Sequence, residues 1–142
     1  MKIAFTLFGA VLVFTVGSNA LSVSALGRIF ITGNSGTHTV KLVQASNGAD
    51  VPGGSVSVSM TGGVSGQFKY VSLGSPVTLQ ANTAYYVVSQ EASGGDQWYD
   101  TGTVSSTTAG AVNTSIYSSN SVNWNSYNTA NTSYVPANFQ YH

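Results

Sequence analysis

The chain has 142 residues, a formal net charge of zero and only 6% charged side chains, which suits one domain. Its four lysine and arginine residues are too few for the basic patch that phosphate neutralisation needs, so nucleic acid is not expected as a partner. Cysteine is absent, which excludes disulfides, thiolate catalysis and thiolate metal ligands. The wealth of hydroxyl and amide side chains is typical of secreted or cell-surface proteins.

Residues 1–20 allow two interpretations. Lys2 followed by the uncharged, largely apolar stretch 3–16 matches a secretory signal peptide with cleavage after Ala20, which leaves 21–142 as the mature module. The apolar run is shorter than the roughly 20 residues that a spanning helix requires, so no stable membrane span is expected. The alternative is a first β-strand from about residue 10, because 11–16 is apolar on both faces and rich in β-formers.

The remaining chain alternates with a period of two. The pattern is clear in THTVKLV (37–43), SVSVSM (55–60) and QFKYVSL (67–73), while AYYVVSQE (84–91) is apolar on both faces and should be a central strand. Short strands separated by Gly-, Asn- and Pro-containing turns predict an all-β fold. We therefore expect one antiparallel β-sandwich of jelly-roll or immunoglobulin-like type.

Two further features favour a sandwich. Leu79, Thr83 and Tyr85 form an L-x-x-x-T-x-Y pattern, in which a tyrosine near a strand start pins the preceding corner through its hydroxyl group. In the last predicted strand, YVPANFQY (134–141), Pro136 has no N–H. This strand should therefore lie at a sheet edge or be bulged at the proline.

The acidic side chains are concentrated in EASGGDQWYD (91–100), which contains three of the four carboxylates, Glu91, Asp96 and Asp100. Glu91 shares the parity of Tyr85 and should point inward, and a buried carboxylate needs a partner. The chain has one arginine, Arg28. The sequence therefore predicts a structural ion pair between Arg28 and Glu91, with Asp96 as a further partner for the arginine.

The same carboxylates could take part in catalysis or bind a metal ion. Two of them could form a glycosidase pair, but no other feature supports an enzyme, and His38 shares a face with Val40 as a hydrogen-bonded core or rim histidine would. Calcium could take oxygens from this window, yet no D-x-D-x-D-G repeat occurs. We expect no catalytic residue, no metal site and no cofactor, with structural calcium as the alternative.

Aromatic residues in polar surroundings suggest a binding site instead. Sugar rings stack on aromatic faces, and their hydroxyl groups pair with carboxylates and amides. The alternative for each tryptophan is a plug in the core. The candidate ligand-binding residues are Asp96, Trp98, Tyr99, Asp100, Asn123, Trp124, Asn125 and Tyr127.

The segments LGRIFITGNSGTHTVKLV (26–43) and YYVVSQEASGGDQWYD (85–100) resemble a β-sandwich module of jelly-roll type. Such modules occur, often repeated, in secreted bacterial multidomain proteins beside carbohydrate-active or surface domains. The resemblance covers roughly residues 10–142 and thereby favours the strand interpretation of the first segment. It implies a carbohydrate-binding-like accessory or a spacer.

The sequence thus predicts a non-catalytic extracellular accessory module that binds a glycan or another surface polymer through exposed aromatic residues and loop Asp, Asn and Gln. The alternative is a structural adhesion, filament or spacer domain of a cell-surface protein. Serine- and threonine-rich strands with little charge would suit self-association by edge pairing.

Overall fold

The structure, a computed structural model, describes residues 8–92, 94–98, 109–118, 125–127 and 136–142, with backbone alone at 8–11, 113–118 and 125–127. It is 62% strand. The strands are β1 (Phe8–Val16), β2 (Leu21–Ile29), β3 (Thr37–Gln44), β4 (Asp50–Ser59), β5 (Phe68–Leu79), β6 (Ala84–Glu91), β7 (Gly110–Ser118), β8 (Asn125–Tyr127) and β9 (Ala137–Tyr141).

These strands form two antiparallel sheets. A six-stranded sheet has the order β4-β3-β6-β1-β7-β8, and a three-stranded sheet has the order β5-β2-β9. The sheets are not closed into a barrel, and the described part of the chain contains no helix. The predicted all-β antiparallel sandwich is therefore confirmed. Consistent with this, no described helix has the length and apolarity to cross a membrane.

The period of two in the sequence places alternate side chains in the space between the sheets. In β4, Val56 and Val58 are buried while Ser55 and Ser57 are exposed. A shared core results, because apolar area is removed from water by both sheets together. Its members include Leu12, Phe14, Val23, Leu26, Val40, Leu42, Met60, Leu79, Val87 and Phe139.

Strand β6 is central, as its two apolar faces predicted. It pairs with β3 on one side and with β1 on the other. Val87 faces the main core, whereas Val88 packs on the opposite face with Val43, Val13 and Tyr86. This second cluster explains why the sequence of β6 does not alternate.

Strand β1 occupies the segment for which two interpretations stood open. It lies between β6 and β7, with Phe8 opposite Glu91 and Thr15 opposite Ala84. Leu12, Phe14 and Val16 enter the core. A chain cleaved after Ala20 would lack this strand.

The expected tyrosine corner is present. Tyr85 is 5% exposed, and its hydroxyl oxygen accepts a hydrogen bond of 3.0 Å from the backbone N–H of Gln80. The turn at residues 80–83 includes Asn82, whose φ is +56°, a left-handed conformation that asparagine tolerates better than most residues. The phenol thus holds a turn that otherwise leaves a backbone donor without a partner.

The expected edge strand is also present. Within the described strands, β9 forms one edge of the three-stranded sheet, and Pro136 directly precedes it. The carbonyl of Pro136 accepts from the N–H of Ile29 at 2.8 Å. Proline is compatible with this position because only its acceptor is needed.

Deleting residues 1–20 should abolish cooperative folding. The truncation removes three buried core side chains, each worth about 1.5–3 kcal/mol, together with the ladder partners of β6 and β7, and domains of this size have only about 5–15 kcal/mol of stability. Far-UV circular dichroism and thermal unfolding of the full chain and of residues 21–142 would test this. A truncated chain with an unchanged melting temperature would contradict the central position of β1.

The variant Tyr85→Phe should lose about 0.5–1.5 kcal/mol of unfolding free energy, because it removes the partly buried hydrogen bond between the N–H of Gln80 and the hydroxyl group. Tyr70→Phe is the comparison variant: it removes a hydroxyl group that hydrogen-bonds to Asn138 from a side chain that is 36% exposed, so its loss should stay within about 0.5 kcal/mol. Urea denaturation of both variants measures the difference. Equal losses would show that the corner bond contributes nothing specific.

Candidate functional site

Four charged side chains meet at one end of the sandwich: Arg28, His38, Glu91 and Asp96. We call them the charge cluster. Arg28 lies near the end of β2, His38 near the start of β3, and Glu91 ends β6. The antiparallel register that places Val40 opposite Ser89 brings His38 beside Glu91. The cluster therefore joins the two sheets and the loop that follows β6.

The ion pair predicted from the sequence is present at the centre of this cluster. Nε and Nη2 of Arg28 donate to Oε1 and Oε2 of Glu91 at 2.9 and 2.8 Å, and both side chains are 0% exposed. Ser89 Oγ donates to Oε1 of Glu91 at 2.6 Å, and Nη1 of Arg28 donates to the carbonyl of Ile29 at 3.0 Å. The buried charges are thus both paired and hydrogen-bonded, as their desolvation requires.

Arg28 also contacts the loop after β6, although by groups other than the Asp96 carboxylate that the sequence suggested. Its Nη2 lies 3.4 Å from the backbone carbonyl of Asp96. Its guanidinium carbon lies 5.9 Å from the ring centroid of Trp98, within the range of a cation–π contact. The arginine therefore fixes the backbone of this loop and one aromatic side chain in it.

His38 links the buried pair to Asp96. Its Nδ1 lies 2.9 Å from the carbonyl of Gln90 and 3.2 Å from Oε2 of Glu91. Its Nε2 lies 2.9 Å from Oδ2 of Asp96. All three partners are acceptors, and a neutral imidazole has only one N–H to donate. The geometry therefore selects the doubly protonated imidazolium, and the charge cluster carries two positive and two negative charges.

The pKa values shift in the direction that this geometry requires. Burial favours the neutral imidazole, but the hydrogen bonds to Glu91 and Asp96 outweigh it and raise the pKa of His38 above 6.5. Burial likewise opposes the ionised carboxylates. Bonds from His38, Arg28 and Ser89 nevertheless lower the pKa of Glu91. Bonds from His38 and two backbone N–H groups lower the pKa of Asp96.

Asp96 fastens its own loop to the loop before β3. Its Oδ1 accepts from the N–H of Ser35 at 2.9 Å and its Oδ2 from the N–H of Gly36 at 2.7 Å. A Cβ atom at Gly36 would lie 2.9 Å from Oδ2, so glycine is needed for this approach.

Asn34 completes the attachment by pairing with the backbone of Gln97 twice. Its Nδ2 donates to the Gln97 carbonyl at 2.8 Å, and its Oδ1 accepts from the Gln97 N–H at 2.9 Å. We call residues 94–98 the pinned loop, because side-chain bonds from both loops hold it against residues 34–36. The left-handed φ of +73° at Gly94 shapes its start.

A small polar cleft lies at this junction. It has a volume of about 250 Å³ and is lined by Thr32, Gly33, Asn34, Gly95, Asp96 and Gln97. Thr32 and Gln97 are exposed, and Trp98, which follows in the chain, is half-buried. The walls of the cleft are therefore hydroxyl, amide and backbone groups, with one carboxylate that already has three partners.

The carboxylates of the charge cluster lack the raised pKa that the general acid of a glycosidase needs. Burial would raise the pKa of Glu91 and of Asp96, but their hydrogen bonds outweigh it and lower both values. Neither nitrogen of His38 is free to act as a base toward a nearby hydroxyl group. Within the described residues, no group of three or more His, Cys, Asp or Glu is placed to hold a metal ion.

Of the predicted ligand-binding residues, the structure places Asp96 and Trp98 together, beside the predicted pair of Arg28 and Glu91. Asn125 and Tyr127 bound β8, of which the backbone alone is described. The other four predicted residues lie outside the described residues, namely Tyr99, Asp100, Asn123 and Trp124.

The contact between His38 and the acidic window was not predicted from the sequence. Neither were the contacts of Asn34, Ser35 and Gly36, the partners of the pinned loop. A usable signal was present in GNSGTH (33–38), because a turn of small polar residues ahead of a histidine supplies donors for a carboxylate.

The fold and the site together define a two-sheet β-sandwich whose end is fastened by a neutral network of charges. Comparison with protein-family models, with curated proteins and with solved structures gives no significant match to the chain.

Replacing either member of the buried pair should be severely destabilising. Arg28→Met or Glu91→Gln is expected to lose about 3–5 kcal/mol of unfolding free energy, because the remaining charge stays buried without its partner. Lys41→Met is the matched control, since it breaks a 2.8 Å pair with Asp50, whose side chain is 66% exposed. That control should lose less than about 1 kcal/mol. If the control lost as much unfolding free energy in urea denaturation, breaking the buried Arg28–Glu91 pair would cost no more than breaking an exposed pair.

Proposed function

We propose that this chain is a non-catalytic accessory module of a secreted or cell-surface protein, and that it binds a neutral glycan at the cleft beside the pinned loop. One observation supports this most directly: a polar cleft of about 250 Å³ is bordered by a loop that the protein's own hydrogen bonds hold in place. Such preorganisation lowers the entropy cost of binding.

The charge state of the cleft favours an uncharged ligand. Its one carboxylate, Asp96, is matched by His38 and by two backbone N–H groups. Among the described residues that line the cleft there is no free cation for an anionic ligand, and a cationic ligand would compete for a carboxylate that is already satisfied. The exposed Thr32 hydroxyl and Gln97 amide can both donate and accept, which matches the hydroxyl groups of a sugar.

The absence of catalysis in this proposal rests on the same hydrogen bonds. A hydrolytic pair requires one carboxyl group that keeps its proton near neutral pH. In the charge cluster both carboxylates are held ionised by cationic and N–H donors. The two carboxylates therefore hold the pinned loop in place, and the neutral side chains of the cleft bind the ligand.

A second candidate function is structural self-association, as in an adhesion, filament or spacer domain. Among the described strands, β5 (Phe68–Leu79) is an edge of the three-stranded sheet. It has 12 residues and exposes Ser72, Gly74 and Ser75 before Pro76, and Thr78 after it. Pro76 has no N–H and lies beside an irregularity in the pairing with β2, so the stretches on either side of it are the parts that could pair with another strand.

Titration with neutral oligosaccharides tests the first function. Fragments of cellulose, xylan, mannan and galactan would be added while tryptophan emission and heat are recorded, with a galacturonan fragment as the charged comparison. We expect at least one neutral fragment to bind and the uronic acid fragment not to bind. Absence of both signals across the neutral panel contradicts the proposal.

Variants locate the site. Thr32→Ala and Gln97→Ala should each weaken binding by about fivefold, the loss that corresponds to one hydrogen bond of about 1 kcal/mol. Ser57→Ala is the matched control, since Ser57 is exposed on β4, away from the cleft. Affinity unchanged in both cleft variants would place the ligand elsewhere. Concentration-dependent association in sedimentation, without glycan binding, would favour the structural alternative.

A further inference from the structure

We infer that His38 is a positioning residue of the pinned loop, and that its imidazolium form donates the bond that completes the attachment of Asp96, beside those from the Ser35 and Gly36 N–H groups. The inference rests on the proposed function only where it concerns ligand affinity. Its structural part depends on the contacts of His38 alone.

A neutral His38 has too few donors for the acceptors around it. His38 Nδ1 faces the Gln90 carbonyl and Glu91, and Nε2 faces Asp96. Loss of one proton leaves a lone pair pointing at an oxygen lone pair, at a distance of 2.9 Å on either side. One of the two attachments must therefore be lost when the imidazole becomes neutral.

Asp96, and not Glu91, is the partner that a neutral His38 loses. Glu91 is 0% exposed and is held by Arg28 and Ser89, so it cannot withdraw. Asp96 lies in a loop, its side chain is 10% exposed, and its other two bonds come from the backbone N–H groups of Ser35 and Gly36. Its carboxylate can therefore move away from His38 and lengthen those two bonds. The neutral imidazole should keep its proton on Nδ1 and release Asp96.

The charged groups that face His38 are Glu91 from β6 and Asp96 from the pinned loop, while Arg28 from β2 acts through Glu91. On β3 and β4, Lys41 and Asp50 pair with each other at 2.8 Å. Both carboxylates have lowered pKa values, so near neutral pH His38 is the member of the cluster that changes charge.

The sign of the pH dependence follows. The pKa of His38 is raised above its ordinary value of 6.5, so its stabilising contribution is complete below pH 6.5 and is lost as the pH rises through the raised value. Glu91 and Asp96 behave oppositely, and their contributions are lost only as the pH falls below their ordinary values of 4.5 and 3.8. The loop should be held most firmly on the weakly acidic side of neutrality.

Nuclear magnetic resonance of the full chain tests the inference between about pH 5.5 and about pH 9.5, the range in which a histidine of raised pKa changes charge. The imidazole signals of His38 report its titration. The amide signals of Ser35, Gly36 and Gln97 report the attachment. We expect the Ser35 and Gly36 amides to shift as His38 titrates. Their exchange with solvent, divided by the intrinsic exchange rate at the same pH, should become at least about tenfold faster as His38 loses its proton.

Variants sharpen the test. Asp96→Asn should give fast exchange of Ser35 and Gly36 at every pH. Asp50→Asn, the same change in an exposed pair, should leave the amide titration as in the unmodified chain. His38→Gln, which has no titratable group, should abolish the pH dependence of these amides; if this variant does not fold, the titration of the unmodified chain still decides.

Two results would overturn the inference. One is Ser35 and Gly36 signals that stay fixed while His38 titrates, and the other is global loss of circular dichroism at the same pH, which would show that the effect is not local. Glycan affinity should fall as His38 loses its proton. If no glycan binds at any pH but the amides titrate as expected, the proposed ligand is wrong and the role of His38 stands.

Discussion

The buried ion pair between Arg28 and Glu91 is the constraint on which this end of the molecule depends. Arg28 belongs to the three-stranded sheet and Glu91 to the six-stranded sheet, so the pair joins the two layers in a chain without cysteine. Removing two charges from water costs several kcal/mol per ion unless good geometry and further hydrogen bonds compensate. The Ser89 hydroxyl group and the carbonyl of Ile29 supply those bonds, so the buried charges depend on these two partners as well as on each other.

From this pair the charges alternate in sign toward the surface. Arg28 and Glu91 are fully buried, His38 is 7% exposed and Asp96 is 10% exposed. Each charge lies between neighbours of opposite sign or hydrogen-bond partners, so the low dielectric constant of the interior strengthens the attraction instead of penalising a lone ion. The outer end of the series is a loop, and the loop is therefore positioned from the core outward.

Much of the fold could be predicted because its physical causes are local. Alternation identified the buried faces, the two-sided run at 84–91 identified the central strand β6, and Pro136 identified an edge. The contact between Arg28 and Glu91 could also be predicted, since an inward carboxylate needs a cation and the chain has one arginine. Strand β1 stayed ambiguous because a strand covered on both faces and a signal peptide have the same apolar pattern. The link from His38 to Asp96 was missed because it depends on the path of two loops and on the missing Cβ of Gly36, none of which leaves a periodic signal.

Most of the charged side chains pair with one another, and this limits how the module can bind a partner. Of the eight Asp, Glu, Lys and Arg residues, Arg28, Glu91 and Asp96 are engaged in the charge cluster, while Lys41 and Asp50 pair with each other. Little charge remains for long-range steering, so association should depend on hydrogen bonds and apolar contacts and respond weakly to salt. Glycan binding and edge pairing both meet that condition. They differ in where preorganisation matters: an edge strand is ordered by its sheet, whereas a cleft between two loops needs a separate restraint. The charge cluster supplies such a restraint at the end where the cleft lies, and this is why we propose glycan binding ahead of self-association.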